Sequence, residues 1–264
     1  MSNPTPDFLE RALDVARDAA EAATQIIRRY YRDGFDVEIK ADETPVTIAD
    51  RAAEAAIKDV LRAAFPAHAF YGEEEGREGD SDWLWLIDPI DGTKSFVRHY
   101  PFFSTQIALM FRNELVLGVS SASEYGELAW ARRGGGAWLN GEPLQVSNAS
   151  DFTAQTAISF GNIKTLSRDA RWQALARMIQ RSGRTRGYGD FLHYHLLARG
   201  CIDLVIESDL NILDIAPLVV ILREAGAVVT DLNGQAPDLA TTSVLAGPPA
   251  LQARALAEFR AALD

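Results

Sequence analysis

Six residues, Asp88-Pro89-Ile90-Asp91-Gly92-Thr93, follow directly on the apolar run Trp83-Leu84-Trp85-Leu86-Ile87, and they constrain this chain more than any other stretch. The run reads as a buried strand, which puts Asp88 at or just past a strand end. Two carboxylates three residues apart, held by a proline and released by a glycine, then point into one space. Buried like charges repel, and burial drives such a pKa upward unless a cation neutralises the pair. Asp-Gly and proline are also ordinary turn formers, so the dipeptide alone says little. The whole hexapeptide behind a buried strand points to a metal site.

A chain of 264 residues has room for one large domain or two small ones sharing a substantial core. Its 47% hydrophobic and 24% charged residues place it among globular proteins, away from disordered and membrane classes. A formal net charge of −11 argues against a nucleic-acid surface, and the nearest thing to a basic patch is the scattered Arg181, Arg184 and Arg186. Cys201 is the only cysteine, which excludes an intrachain disulfide and a cysteine zinc site. The opening Met1-Ser2-Asn3-Pro4-Thr5-Pro6 lacks the basic and apolar regions of a secretory signal, and no apolar run is long enough to span a bilayer. The expectation is a cytoplasmic protein with neither nucleic-acid nor membrane partners.

Apolar spacing predicts a helix over 7–32 and a second from Ile48 to Phe65, with a short strand at Val37–Lys40 between them. Strand signals recur at 69–71, 83–87, 104–111, 115–121, 128–131 and 137–139, the last ending at an Asn140-Gly141 turn. Gly134-Gly135-Gly136 lacks any nucleotide-binding pattern and reads as a hairpin loop. Beyond 145–153 the pattern changes to alternating strand and helix. An antiparallel α+β half, 1–148, followed by an α/β half, 149–264, is therefore expected.

Three further acidic groups stand in suggestive settings. Glu73 lies in the loop Gly72-Glu73-Glu74-Glu75-Gly76, Asp50 near the start of the second helix, and Asp214 at the opening of a helix after Asn211-Ile212-Leu213. Each also has a plain structural reading. Thr47-Ile48-Ala49-Asp50 fits a capping box, Asp214 fits an acidic first turn, and Glu73 fits a solvated charge run. With Asp88 and Asp91 they make five carboxylates suited to an oxygen-only cage of the kind hard Mg²⁺ prefers.

Taken together, Gly72-Glu73-Glu74, then Trp85-Leu86-Ile87-Asp88-Pro89-Ile90-Asp91-Gly92-Thr93, then Asp214-Ile215-Ala216 ahead of Glu224-Ala225-Gly226, resemble the inositol monophosphatase family of magnesium-dependent phosphatases. The resemblance runs from Lys40 to the last strands. Leu213 stands where the family usually has tryptophan, and Pro217 and Ala227 replace a small residue and a glycine. Pro217 is tolerable in a first helical turn, where its missing N–H is not needed. The implied fold is the layered αβαβα sandwich of the inositol monophosphatase and fructose-1,6-bisphosphatase type.

Carried over residue by residue, the family implies that Glu73, Asp88 and the Ile90 carbonyl hold one Mg²⁺, and that Asp88, Asp91 and Asp214 hold a second. Two or three ions are implied in all, with Mn²⁺ the alternative. Thr93 with Asp50 resembles the pair that orients the attacking water, and the N–H groups of Gly92 and Thr93 resemble the phosphate cradle. Inhibition by lithium and a homodimeric assembly are implied in the same way. Asp88 and Asp91 do not form the Asp-x-Asp-x-Thr arrangement of aspartyl-phosphate enzymes, which disfavours a covalent phosphoenzyme.

Two stretches, Lys94-Ser95-Phe96 and Arg186-Gly187-Tyr188-Gly189-Asp190, resemble the histidinol-phosphatase branch of the family. A carboxylate at Asp190 suits an amine-bearing ester such as histidinol phosphate, an intermediate of histidine biosynthesis, because it pairs with the ammonium. Glu207 occupies a position that contacts substrate in the family and also favours a cation. A helix N-cap is the structural alternative for Asp190. The other readings are an inositol 1-phosphate phosphatase, a 3′(2′),5′-bisphosphate nucleotidase, against which Ser95 argues mildly, and a non-enzymatic metal- or phosphate-binding regulatory protein. His193 and His195, two apart on an expected helix, face different sides and do not suit a shared metal; core or surface roles fit all four histidines better.

Overall fold

The computed structural model describes residues 3–34, 37–39, 45–168 and 170–263. Lys40, the expected end of the first strand and start of the family resemblance, lies outside them, as do Met1 and Ser2. The elements in chain order begin α1 (Pro6–Asp33), β1 (Val37–Ile39), β2 (Pro45–Thr47), α2 (Ile48–Ala64), β3 (Ala69–Gly72), β4 (Gly76–Glu78), β5 (Trp83–Asp91) and α3 (Thr93–Val97). Next come β6 (Ser104–Phe111), β7 (Glu114–Ala122), β8 (Glu127–Arg132), β9 (Ala137–Leu139), β10 (Glu142–Pro143) and β11 (Ala157–Gly161). Then follow α4 (Ile163–Leu166), α5 (Trp172–Arg181), β12 (Arg184–Arg186), α6 (Asp190–Ala198) and β13 (Leu204–Ser208). The last are α7 (Ile212–Glu224), β14 (Val228–Thr230), β15 (Ser243–Gly247) and α8 (Pro249–Arg260).

The chain divides into two compact units. The first comprises Met1–Glu142 with Leu213–Ile221, and the second Pro143–Ile212 with Leu222–Asp264. In the first, strands run in the order β10-β9-β8-β7-β6-β5-β3-β4. All neighbours are antiparallel where their register is described, except the parallel pair β3 and β5. Helices α1 and α2 lie together beside this sheet and share its core. They bury Ala12, Ala16, Ala19, Ala23, Ala49, Ala53, Ile57 and Leu61, and the small alanine faces let the two helices approach closely. The capping box at Thr47 starts α2: Thr47 Oγ1 accepts from Asp50 N, and Asp50 Oδ2 accepts from Thr47 N.

The second unit carries the sheet β12-β11-β13-β15-β14. Its β11 runs parallel to both β12 and β13, while β15 runs antiparallel to β13 and β14. Leu175 and Met178 of α5 and Leu251 and Phe259 of α8 close its core over Ile158, Leu204, Ile206 and Leu245. Among the described residues no helix is long and apolar enough to cross a membrane.

Two local expectations change. The strand that begins at Trp83 does not end at Ile87 but continues to Asp91. Its pairing with β6 passes from Asp88↔Gln106 to Asp91↔Ser104, three steps against two, so one extra residue bulges out. A bulge is where a strand tolerates a proline without a ladder N–H, and that is where Pro89 stands. Second, α7 starts at Ile212, so Pro217 is its sixth residue and lies inside the helix rather than in the first turn.

One half-buried group carries a pH dependence. The His68 ring stacks between Phe65, at 4.8 Å, and Trp83, at 5.4 Å, and its Nδ1 is buried without a partner. Burial lowers its pKa from 6.5 to about 4. Between those values the unfolded chain binds a proton that the folded chain refuses, so this contribution is whole above pH 6.5 and is lost as pH falls toward 4. Urea unfolding at pH 7 and pH 4.5 should therefore show a larger drop for the native chain than for His68→Phe. Equal drops would dismiss His68 as a source of acid sensitivity.

Candidate active site

The bulge in β5 turns the hexapeptide into a binding surface. Asp88 is 2% exposed and folds back on its own backbone, Oδ1 accepting from Ile90 N at 3.0 Å. The Pro89 carbonyl is held by the Thr105 hydroxyl at 2.9 Å, and Asp91 Oδ2 accepts from Ser104 Oγ at 3.3 Å. Gly92 then takes a left-handed conformation, φ 91°, and starts α3. Only glycine fits there: a Cβ would meet the Phe102 carbonyl oxygen at 2.6 Å.

Asp214, in the first turn of α7, joins this surface from far along the chain. Asp88, Asp91 and Asp214 each offer an oxygen within 4.8 Å of the others. The approach depends on Gly118 in β7, where a Cβ would stand 2.4 Å from the Pro217 carbonyl oxygen. The backbone of α7 thus rests directly on the strand. Glu73, in the turn between β3 and β4, donates its N–H to Ile87 O at 3.1 Å and lies beside Asp88. Burial first, then the charges of Glu73, Asp91 and Asp214, push the Asp88 carboxyl well above its ordinary range, and a hydrogen bond with Glu73 adds to the rise. These groups repel one another as they stand.

Asp50 makes two sets of contacts, one oxygen each. Oδ2 takes the capping-box hydrogens of Thr47, and Oδ1 faces the Thr93 hydroxyl at 3.4 Å. Thr93 Oγ1 is also 3.0 Å from the Ile90 carbonyl, so its one hydrogen is shared between two acceptors. Burial raises the Asp50 carboxyl above its usual range; the hydrogen bonds from Thr47 oppose this and the Glu73 charge adds to it.

Asp190 and Glu207 belong to the second unit. Asp190 is the first residue of α6 and takes φ 44°, a left-handed conformation that aspartate adopts more readily than most non-glycine residues. The N-cap position is held by Gly189, so Asp190 is not the cap. Glu207, on β13, accepts hydrogen bonds from Tyr194 and His193. His193 and His195 are both buried.

Sequence reasoning missed the groups that hold the Glu73 turn. Glu54 is buried on α2 and accepts from Glu74 N at 2.8 Å and Glu75 N at 3.2 Å. Lys58, one turn later and 1% exposed, bonds Glu54 Oε1 and Glu75 Oε2, each at 2.7 Å. Gly72 leaves the room, since a Cβ there would lie 2.0 Å from Glu54 Oε1. Burial alone would depress the Lys58 ammonium, but its hydrogen bonds with Glu54 and Glu75 outweigh that and keep it above its ordinary value. The only signal was a Glu-Lys pair four apart, which a helix surface shows routinely.

Lys58→Met should leave the buried Glu54 carboxylate uncompensated and cost about 3–5 kcal/mol in chemical unfolding. The turn bearing Glu73 should lose protection from hydrogen exchange at Glu74 and Glu75. Unchanged stability would show that the clamp contributes nothing.

The model of the inositol monophosphatase family matches residues 9–264. The chain is 37% identical over 244 residues to the bifunctional phosphatase IMPL2 of Arabidopsis thaliana, covering 89% of this chain and 70% of that protein. It is 36% identical over 241 residues to the histidinol-phosphatase of Streptomyces coelicolor, covering 87% and 90%. Among solved structures, the extragenic suppressor protein suhB of Bartonella henselae superposes with a TM-score of 0.86 at 29% identity, covering 95% of this chain and 98% of that one. With the family model spanning nearly its whole length, the chain belongs to the inositol monophosphatase family of phosphatases.

Proposed function

We propose that the chain hydrolyses a small phosphate monoester with Mg²⁺, and that the ester is amine-bearing, with histidinol phosphate as substrate and histidinol as product. The observation that carries the hydrolytic reading is the buried Asp88, pressed by three other acidic groups that repel it. Such a set is unfavourable alone and favourable around a divalent cation. The donors fit: all are oxygens, four carboxyls and one carbonyl, the choice of a hard ion such as Mg²⁺, with Mn²⁺ next. Glu73, Asp88 and the Ile90 carbonyl would hold one ion, and Asp88, Asp91 and Asp214 a second. Bound there, the ions would supply charge neutralisation for the phosphoryl oxygens and a lowered pKa for water.

The chain's own groups then orient the reactants. Thr93 gives its hydrogen to Asp50 Oδ1 or Ile90 O, which leaves the Oγ1 lone pairs to accept from a water molecule. Asp50, its pKa raised by burial, is a stronger base than an exposed aspartate and takes up the proton at Oδ1. Glu73 lies close enough to influence both Asp50 and Asp88, so it shares in setting their charge. Gly92 and Thr93 precede Ser95 N, the first donor within α3, and their N–H groups form the phosphate cradle. Phosphoryl transfer needs such positioning more than it needs covalent chemistry.

The amine reading rests on the carboxylates of Asp190 and Glu207 and on similarity to a histidinol-phosphatase. The test is a panel of histidinol phosphate, inositol 1-phosphate and adenosine 3′,5′-bisphosphate with Mg²⁺, in which kcat/KM should favour histidinol phosphate by about tenfold or more. A win for inositol phosphate would overturn the amine reading but not the phosphatase; ion binding without phosphate release from any ester would favour a regulatory protein.

Asp88→Asn should lower kcat about a thousandfold or more, since it removes the group shared by both proposed ions. In chelator the variant should melt at or slightly above the native temperature, because a repelling charge is gone. Stabilisation of the native chain by Mg²⁺ in a thermal melt should vanish in the variant. Near-normal turnover would refute the assignment.

A further inference from the structure

Glu207 is held by a chain of hydrogen bonds whose direction can be worked out. It pairs with Gly161 across β13 and β11, and a Cβ on Gly161 would stand 1.9 Å from Glu207 Oε1. Oε2 accepts from Tyr194 Oη at 2.5 Å and lies 3.0 Å from His193 Nε2. Oε1 accepts no hydrogen bond among the described residues. A carboxylate oxygen has no hydrogen to give, so the contact with His193 requires the hydrogen on Nε2. In the Nε2–H tautomer Nδ1 is an acceptor, 3.2 Å from Ser159 Oγ. Ser159 Oγ in turn accepts from Tyr188 N at 3.2 Å and gives its hydroxyl hydrogen to Nδ1. The chain runs one way, from Tyr188 N–H through Ser159 and His193 to Glu207.

A serine, a histidine and an acid in a row suggest a second hydrolase, but the arrangement is the wrong one. Ser159 is fully buried, and its hydrogen is fixed on the imidazole nitrogen opposite the acid while its oxygen is occupied by a backbone N–H. Such a hydroxyl is a structural donor and not an attacking group.

We propose that Ser159 and His193 are positioning residues for substrate selection. They fix the imidazole with its hydrogen on Nε2, saturate Oε2 of Glu207 together with Tyr194, and so present Oε1 in one place to a cationic group of the substrate. Gly161 provides the space in which Oε1 sits. This rests on the reading of Glu207 as a group that meets an amine-bearing ester. A carboxylate already immobilised by two donors loses less freedom on binding than one free to rotate, so the gain falls on affinity for the ammonium and not on the chemical step.

The test compares histidinol phosphate with glycerol 2-phosphate, an ester without an ammonium, in the Mg²⁺-loaded enzyme. His193→Leu should raise KM for histidinol phosphate about tenfold with kcat within roughly twofold, and leave kcat/KM for glycerol 2-phosphate within roughly twofold. His193→Gln, whose amide N–H reaches the place of Nε2–H, should recover most of the loss. Gly161→Ala, whose Cβ would displace the Glu207 carboxylate as a whole without altering Ser159 or His193, should reproduce the His193→Leu pattern should that variant fold poorly. Nitrogen-15 spectra of the histidine-labelled native protein should report His193 protonated on Nε2 alone. Equal losses on both esters, or the hydrogen on Nδ1, would overturn the proposal. Glu207→Gln separates the layers: if it raises KM for histidinol phosphate and His193→Leu does not, the positioning chain fails. If Glu207→Gln leaves that KM unchanged, the amine reading of Glu207 fails with it.

Discussion

Repulsion among carboxylates in one buried space is the constraint on which the rest of the first unit depends. Asp88, Asp91 and Asp214 bring oxygens within 4.8 Å of one another, and Glu73 adds its charge from the side. Apart from the hydrogen bond between Asp88 and Glu73, nothing in these groups draws them together, so the scaffold must hold them against their own electrostatics. It does so through backbone. The bulge in β5 is pinned by Thr105 on the Pro89 carbonyl, and α7 rests its main chain on Gly118. The Glu73 turn is clamped by Glu54 and Lys58 from α2. A site held in that way keeps its shape before a cation arrives, so binding energy is not spent on arranging ligands.

The molecule treats its buried acids in different ways. Glu54 is compensated: Lys58 and two backbone N–H groups saturate it. Asp88 is surrounded by other acids, and its carboxyl is forced upward in pKa. Glu207 stands between these cases, with one oxygen saturated and the other accepting no hydrogen bond among the described residues. A carboxylate fully satisfied within the protein has nothing left for a ligand, whereas one left deficient marks where a ligand is required.

What the sequence made legible was local in character. The apolar run before Asp88, the Thr47–Asp50 capping box and the Asn140-Gly141 turn all act over a few residues, and each appears where expected. The helices α1 and α2 agree with prediction within a residue or two because their apolar spacing is regular. The bulge escaped notice because an extra residue in β5 is visible only against its partner β6. Glu54 and Lys58 escaped because i,i+4 spacing looks the same on a buried helix face as on an exposed one. Gly118 carries no sign of its purpose, since the backbone it must admit comes from α7, about a hundred residues later. The resemblance named the carboxylates, but only the geometry reveals what restrains them.

The position of Asp214 ties these observations together. It is the last acidic ligand candidate in the chain, and it sits on the one helix that contributes to both compact units, with Leu213–Ile221 counted in the first and the rest in the second. A helix-breaking proline inside that helix would normally cost stability, because it removes a hydrogen bond and crowds the preceding turn. Here Pro217 stands where the helix backbone meets Gly118, so the proline and the close strand contact coincide. A substitution that thickens the strand at Gly118 displaces the α7 backbone, and with it Asp214, without touching any carboxylate. Residues that touch none of these carboxylates can therefore alter the cluster through α7.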